Sequence, residues 1–324
     1  MSSTIDVIRA GLIARGIPAY GETYGLTADP TTLTGDALAR LIGGNNLFVG
    51  KDAAALGLTG AKTGMLPYTG RCDTLLLTPE NHSIATAFDW SLNNTNIAGM
   101  APGGLGLNKR ARIGHSATLS PFITVSGYGN SFSDIYTMHG MAATDYIGWL
   151  ISGARNLFSG MHFGGPMFAA QGGHASYNGM NITGSENVFT DCIFGTNTIE
   201  RDELTPNVTL GPGTLTIFNN CTFLCALTDT DPYFVAVANT SGYTEAYFNN
   251  CKFRAFSSNQ ANKCAVAFTF SGSASADVHL DQLCSFSGVT HLAVTGSMKY
   301  IWAPTVFAAT ADELNLLAIN TGTF

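Results

Sequence analysis

Six stretches of this chain repeat one short pattern, and that repeat limits what it can fold into more than any other feature. Phe248-Asn249-Asn250-Cys251-Lys252-Phe253 is the clearest copy, preceded by Phe218-Asn219-Asn220-Cys221-Thr222-Phe223 and Phe189-Thr190-Asp191-Cys192-Ile193-Phe194. Weaker copies begin at Phe158, Phe132 and Leu280, so the leading apolar residues fall 26 to 32 residues apart. A strand-rich period of that size points to a solenoid, in which one coil buries its apolar side only against its neighbours. A second element repeats in step: Ser126-Gly127-Tyr128-Gly129-Asn130, Ser152-Gly153-Ala154-Arg155-Asn156 and Thr183-Gly184-Ser185-Glu186-Asn187. Each coil therefore reads as strand, Ser/Thr-Gly-x-x-Asn turn, Phe-x-Asn strand and variable excursion.

The fold class this predicts is all-β, a right-handed single-stranded parallel β-helix of about eight coils over residues 70–304. Coils stacked at about 4.8 Å place equivalent residues in columns. Phe132, Phe158, Phe189, Phe218 and Phe248 then form an interior aromatic ladder, and Asn220 and Asn250, with Asp134 and Asp191, occupy a tight corner. Short strands are expected at 73–79, 83–90 and 122–125, and Leu92 to Gly99 reads as an early degenerate copy of the motif. Residues 1–69 lack the motif and form a separate cap or attachment segment, with helices expected at 3–16, 36–42 and 52–56. Residues 305–324 form a C-terminal cap with a helix at 310–317, because the last coil's open edge needs cover.

Only 11% of the 324 residues are charged while 45% are hydrophobic, so the polar surface is largely hydroxyl and amide. The net charge is -7 and the 15 Lys and Arg form no stripe, which excludes a nucleic-acid partner. No apolar run reaches membrane-spanning length, and the start lacks an export signal, so synthesis and folding in a cytosol are expected. Seven cysteines without CxxC spacing fit reduced thiols.

Candidate chemistry is sparse. Cys192, Cys221 and Cys251 would stack in line, which cannot close a tetrahedral metal site, and they read as small buried hydrophobes. The seven histidines show no metal-binding spacing; His162 and His174 flank one excursion. There is no GxSxG elbow and no P-loop. The densest acidic cluster is Glu200, Asp202 and Glu203 around Arg201, with Asp229 and Asp231 about one coil further on. These carboxylates would serve polysaccharide cleavage or calcium binding if they converged, although an Arg-Asp-Glu loop reads first as solvated. No catalytic, cofactor or metal residue is assigned, and no enzymatic activity is expected. The excursions 138–145, 164–177 and 196–209 should protrude as loops from one face, the usual binding side of a solenoid.

Gly70-Arg71-Cys72-Asp73-Thr74-Leu75-Leu76-Leu77-Thr78-Pro79 resembles the opening coil of pectin-lyase-like β-helices in tailed-bacteriophage structural proteins, with Cys72 and Glu80 in place of the usual glycines. Ile97-Ala98-Gly99-Met100, Ser126 to Phe132, His139-Gly140 and Gly153 to Phe158 are similar to phage virion proteins encoded beside the major capsid protein. The resemblance covers roughly residues 70–200. It implies a capsid decoration, or cement, protein on the virion surface, a homotrimer that binds and stabilises the major capsid protein lattice, with no cofactor and no catalytic residues to carry over. The alternative is a tail-spike or tail-fibre domain that binds or cleaves host surface polysaccharide. A free-standing bacterial lyase is a third reading, disfavoured by the missing signal peptide.

Overall fold

The computed structural model describes residues 47–50 and most of 74–302. Positions 1–46, 51–73, 78, 80, 85–86, 100–110, 116, 140–146, 167–176, 202–204, 229, 231, 258–262, 273–274, 294–299 and 303–324 lie outside the described residues. All four expected helices fall there, as do Cys72, His174, Asp202, Glu203, Asp229 and Asp231. Among the described residues every regular element is a strand.

The strands form three parallel sheets, here A, B and C, and the chain visits them in that order before rising one coil. Sheet A has ten strands: Leu47–Gly50, Thr74–Leu77, Asn96–Gly99, Ser131–Ser133, Leu157–Ser159, Asn187–Thr190, Leu215–Asn219, Tyr243–Asn249, Ser275–Leu280 and Tyr300–Trp302. Sheet B has eight: Asn81–Ile84, Ala111–His115, Ile135–His139, His162–Pro166, Ile193–Arg201, Thr222–Leu227, Lys252–Ser257 and Ser285–Ser287. Sheet C also has eight: Phe88–Trp90, Ile123–Val125, Ile147–Ile151, Asn178–Ile182, Val208–Leu210, Val235–Ala238, Cys264–Ser271 and Val289–Ala293. The chain is thus a parallel β-helix. Leu47–Gly50, which the sequence places ahead of the coils, pairs with Thr74–Leu77 and lengthens sheet A. The expected strand 83–90 is two strands, one in sheet B and one in sheet C, because the chain turns a corner within it.

The motif maps onto the corner between sheets A and B. Phe132, Phe158, Phe189, Phe218, Phe248 and Leu280 are in register on successive sheet A strands. The phenylalanine rings stack at 4.9, 4.6, 5.1 and 4.8 Å between centroids. The motif's second aromatic builds another ladder on sheet B, Phe163, Phe194, Phe223, Phe253 and Phe286, at 5.1, 4.7, 4.8 and 4.6 Å. The two ladders meet edge to face, so most rings have partners along the column and across it, the geometry aromatic quadrupoles favour.

Between the two aromatics the chain must turn the corner from sheet A to sheet B within a residue or two. Asp134, Asp191, Asn220 and Asn250 do so with φ of 58°, 54°, 55° and 52°, the left-handed region that Asn and Asp tolerate better than other side chains. Asn250 Nδ2 donates to Asn220 Oδ1 at 2.9 Å, tying one corner to the next. The turn leaves the carbonyl of the leading aromatic facing the cysteine one coil further on. Cys192, Cys221, Cys251 and Cys284 donate S–H bonds of 3.4, 3.5, 3.4 and 3.1 Å to the carbonyls of Phe158, Phe189, Phe218 and Phe248. These thiols are buried and free, so the column is scaffold, extended by Cys284.

At the corner between sheets C and A, Asn130, Asn156 and Asn187 are buried and form a ladder of their own. The backbone N–H of Thr95, Asn130 and Asn156 each donates to the Oδ1 of the next asparagine at 3.0 Å. Their Nδ2 groups donate to the carbonyls of Leu92, Gly127 and Gly153. Gly153 packs so closely on the coil below that a Cβ would lie 1.8 Å from the Gly127 carbonyl oxygen. The early copy of the motif is displaced from its expected alignment: Ile97, not Leu92, stands in register with Phe132, and Leu92 belongs to this corner.

Candidate functional site

The corner between sheets B and C is where the coils differ. The expected excursions 138–145, 164–177 and 196–209 each run from a sheet B strand to a sheet C strand, and their described ends at 138–139, 164–166, 196–201 and 208–209 are strand rather than loop, while 140–146, 167–176 and 202–204 lie outside the described residues. That corner is the one that sheet A does not border.

The acidic cluster divides there. Glu200 and Arg201 end the strand Ile193–Arg201, and three extra residues, Asn197, Thr198 and Ile199, bulge out between Thr196 and Glu200 relative to the next strand. Glu200, Asn197, Thr198, Ile199, Ala226, Phe256 and Ser257 line a groove of about 430 Å³. Phe256 is 39% exposed there, an aromatic face beside a carboxylate, an amide and hydroxyls. Such a surface has the chemistry to hold a sugar ring, apolar on one face and hydroxyl-rimmed.

Arg201 departs from the solvated role expected of it. It is buried, and its guanidinium donates to the Thr205 carbonyl and to Asn207 Oδ1, both at 3.1 Å. Asn207 Nδ2 passes the network on to the Leu224 carbonyl at 2.9 Å. Arg201 therefore clamps the base of its excursion to the coil interior. Its electrostatic neighbours are Cys225, Tyr177 and Cys264. Burial by itself raises the Cys225 thiol, but the bond from Cys264 and the Arg201 guanidinium outweigh it and bring it down to about 7. Burial pushes Tyr177 well up.

A fold that lowers a thiol favours its ionised form, so the stability Cys225 contributes is full above the ordinary value of 9.0 and lost as pH falls through about 7. The unfolding free energy from urea titration is expected to rise from pH 7 to pH 9 by on the order of 1–3 kcal/mol, and Cys225→Ser should flatten that rise. An unchanged profile in the variant would remove Cys225 as its cause. His162 is buried with Nε2 3.1 Å from the Gly195 carbonyl oxygen, a satisfied core histidine.

Sequence reading missed a titratable group on the outer face of sheet A. Glu245 and Asp277 are in register on adjacent strands. Tyr247 donates to Glu245 Oε1 at 2.5 Å and Tyr243 donates to Asp277 Oδ2. His279 Nε2 lies 3.2 Å from Glu245 Oε1, and its ring stacks on Tyr247 at 4.3 Å. These bonds raise both tyrosines, Tyr243 to about 12. The signal was the alternation Tyr243-x-Glu245-x-Tyr247 facing Asp277-x-His279 one period later, visible only once the period is set to 32 at that coil.

No protein-family model matches this chain, and no curated protein matches it in sequence. Solved structures with a similar fold include pectin methylesterase PemA from Erwinia chrysanthemi, at TM-score 0.46 and 10% identity over 86% of this chain and 98% of that one. A pectin methylesterase in complex with a hexasaccharide follows at 0.45 and 11%, over 87% and 99%. Geobacillus virus E2 ORF18 stands at 0.35 and 12%, over 76% of this chain and 56% of that one. At these identities and TM-scores the likeness extends no further than the parallel β-helix fold itself. The expectation that this chain has no enzymatic activity does not stand, since pectin methylesterases are enzymes of this same fold and it is compatible with polysaccharide enzyme activity. The physical reason is that stacked parallel strands put side chains of successive coils in register, as a site for an extended polymer requires.

Proposed function

We propose that this chain is a structural protein of a bacteriophage particle, one that binds the major capsid protein lattice on the virion surface and stabilises it. The observation that carries this reading is that the described ends of all three long excursions fall at the corner between sheets B and C. Backbone that leaves a solenoid on one side, coil after coil, builds one continuous binding edge on a rigid support. The interior supplies that support through stacked rings and asparagine ladders. Arg201, clamped to Thr205 and Asn207, holds the base of one excursion to it.

Mass spectrometry and cryo-EM of purified particles test this. The chain is expected on the head surface, and replacing 167–176 by a short turn should remove it from particles at least tenfold while its far-UV circular dichroism and melting stay unchanged. Absence of the chain from heads would sink the reading. The groove at Glu200 and Phe256 supports a second one, recognition or cleavage of host surface polysaccharide. Reducing ends released from that polysaccharide by the intact protein, and not by Glu200→Gln, would place the function there instead.

A further inference from the structure

We infer that the outer face of sheet A seats a second copy of this chain. Strand register lines up Leu157, Val188, Ile217 and Tyr247 as one outward column on four consecutive coils. Leu157 is 42% exposed, and the other three are half-buried. Its three aliphatic members, Leu157, Val188 and Ile217, face away from the interior and form an unpartnered apolar strip ending at the Tyr247 ring. The flanking outward positions are Ser159, Thr190, Asn219 and Asn249, uncharged hydroxyls and amides that rim the row. Among the described residues, the acidic and basic side chains on the sheet A strands of this face are Glu245, Asp277 and His279, and His279 Nε2 lies 3.2 Å from Glu245 Oε1. Both carboxylates already accept a tyrosine hydroxyl, so neither enters a contact as a bare charge.

Size favours a copy of the chain over a short peptide. Ten strands extend sheet A about 43 Å along the coil axis, and strands of three to seven residues make it roughly 15 Å wide, so one copy offers about 630 Å², within the range of about 600–1,000 Å² a standard interface takes from each partner. An apolar row inside a hydroxyl and amide rim is the usual layout of such an interface. Position agrees, because the corner that carries the excursions is the one sheet A does not border. Copies joined through sheet A leave the corner between sheets B and C uncovered, so this inference does not rest on the capsid reading.

The test is the molar mass of the full chain by light scattering on a sizing column, beside Leu157→Glu, Ile217→Glu and, as a control outward on sheet C, Ala236→Glu. The wild type and the control are expected at a multiple of the 34.0 kDa chain mass. Both sheet A variants should fall to the single-chain mass with unchanged circular dichroism. Should Ile217→Glu melt well below the wild type, Leu157→Lys reads the same face at a more exposed position. A wild type at single-chain mass overturns the inference, as do sheet A variants that keep the wild-type mass or a control that dissociates as they do. Failure here leaves the particle-binding test untouched, and absence from particles leaves the molar mass untouched.

Discussion

Phe218→Ala is expected to lower the unfolding free energy by about 3–5 kcal/mol, the cost of deleting a buried phenylalanine whose surroundings relax only in part. Phe218 is fully buried between Phe189 at 5.1 Å and Phe248 at 4.8 Å on its own ladder. It also meets Phe194 and Phe223 of the sheet B ladder, each at 5.6 Å. Four rings lose a partner at once, and because a solenoid is held by contacts between neighbouring coils, two interfaces weaken together. The cavity cannot close by collapse, since the neighbouring rings belong to strands whose spacing is set by backbone hydrogen bonds. Urea titration followed by circular dichroism reads the effect. Thr124→Ala, outward on sheet C, should change stability by less than about 0.5 kcal/mol. A Phe218→Ala loss as small as that would mean the ladders are not the core of the stability.

The second large effect is at Asn156. Its Oδ1 accepts from the backbone N–H of Asn130 at 3.0 Å and from Asn130 Nδ2 at 3.1 Å, while its own Nδ2 donates to the Gly127 carbonyl at 3.0 Å and to Asn187 Oδ1 at 3.2 Å. Asn156→Ala strands a buried N–H and a buried carbonyl in the middle of the stack, each costing about 1–3 kcal/mol, so a loss of about 3–4 kcal/mol is expected. Asn156→Asp separates the ladder from simple side-chain packing. It keeps the acceptor and the volume but turns the two donated bonds into an ionised oxygen facing a carbonyl and an amide oxygen, so it should not rescue stability above the pH where the carboxylate ionises. Near-wild-type stability of Asn156→Asp at neutral pH would show that the amide's donor side does not matter.

Much of the scaffold was legible because its causes are local and periodic. The Phe-x-Asn-Cys copies announce ring, turn and small buried residue, and each does that in the structure, from Asp191 with Cys192 to Asn250 with Cys251. The Ser/Thr-Gly-x-x-Asn turns announce close coil contact at glycine and a satisfied buried amide, as Gly153 and Asn156 provide. Alignment by appearance failed where the pattern is weakest. Leu92-Asn93-Asn94 looks like the motif, yet it is Ile97 that stands on Phe132, because register is set by backbone pairing across coils and not by local likeness. The candidate site was less legible still. Arg201 reads as part of a solvated acidic loop, and nothing nearby in sequence shows that Thr205, Asn207 and Cys225 receive it in the interior.

By itself the sequence determined a parallel β-helix and the residues of its ladders and corners. These follow from side-chain volume, φ preference and a period near 30 residues, all of which act within one coil and repeat. Only the tertiary structure decided that the described ends of the three excursions share one corner, that Arg201 is a buried clamp, and that Leu157, Val188, Ile217 and Tyr247 form one outward row opposite that corner. Those facts depend on how far each coil is offset from the next, and the offset is set by hydrogen bonds between strands about 30 residues apart, summed over the whole stack.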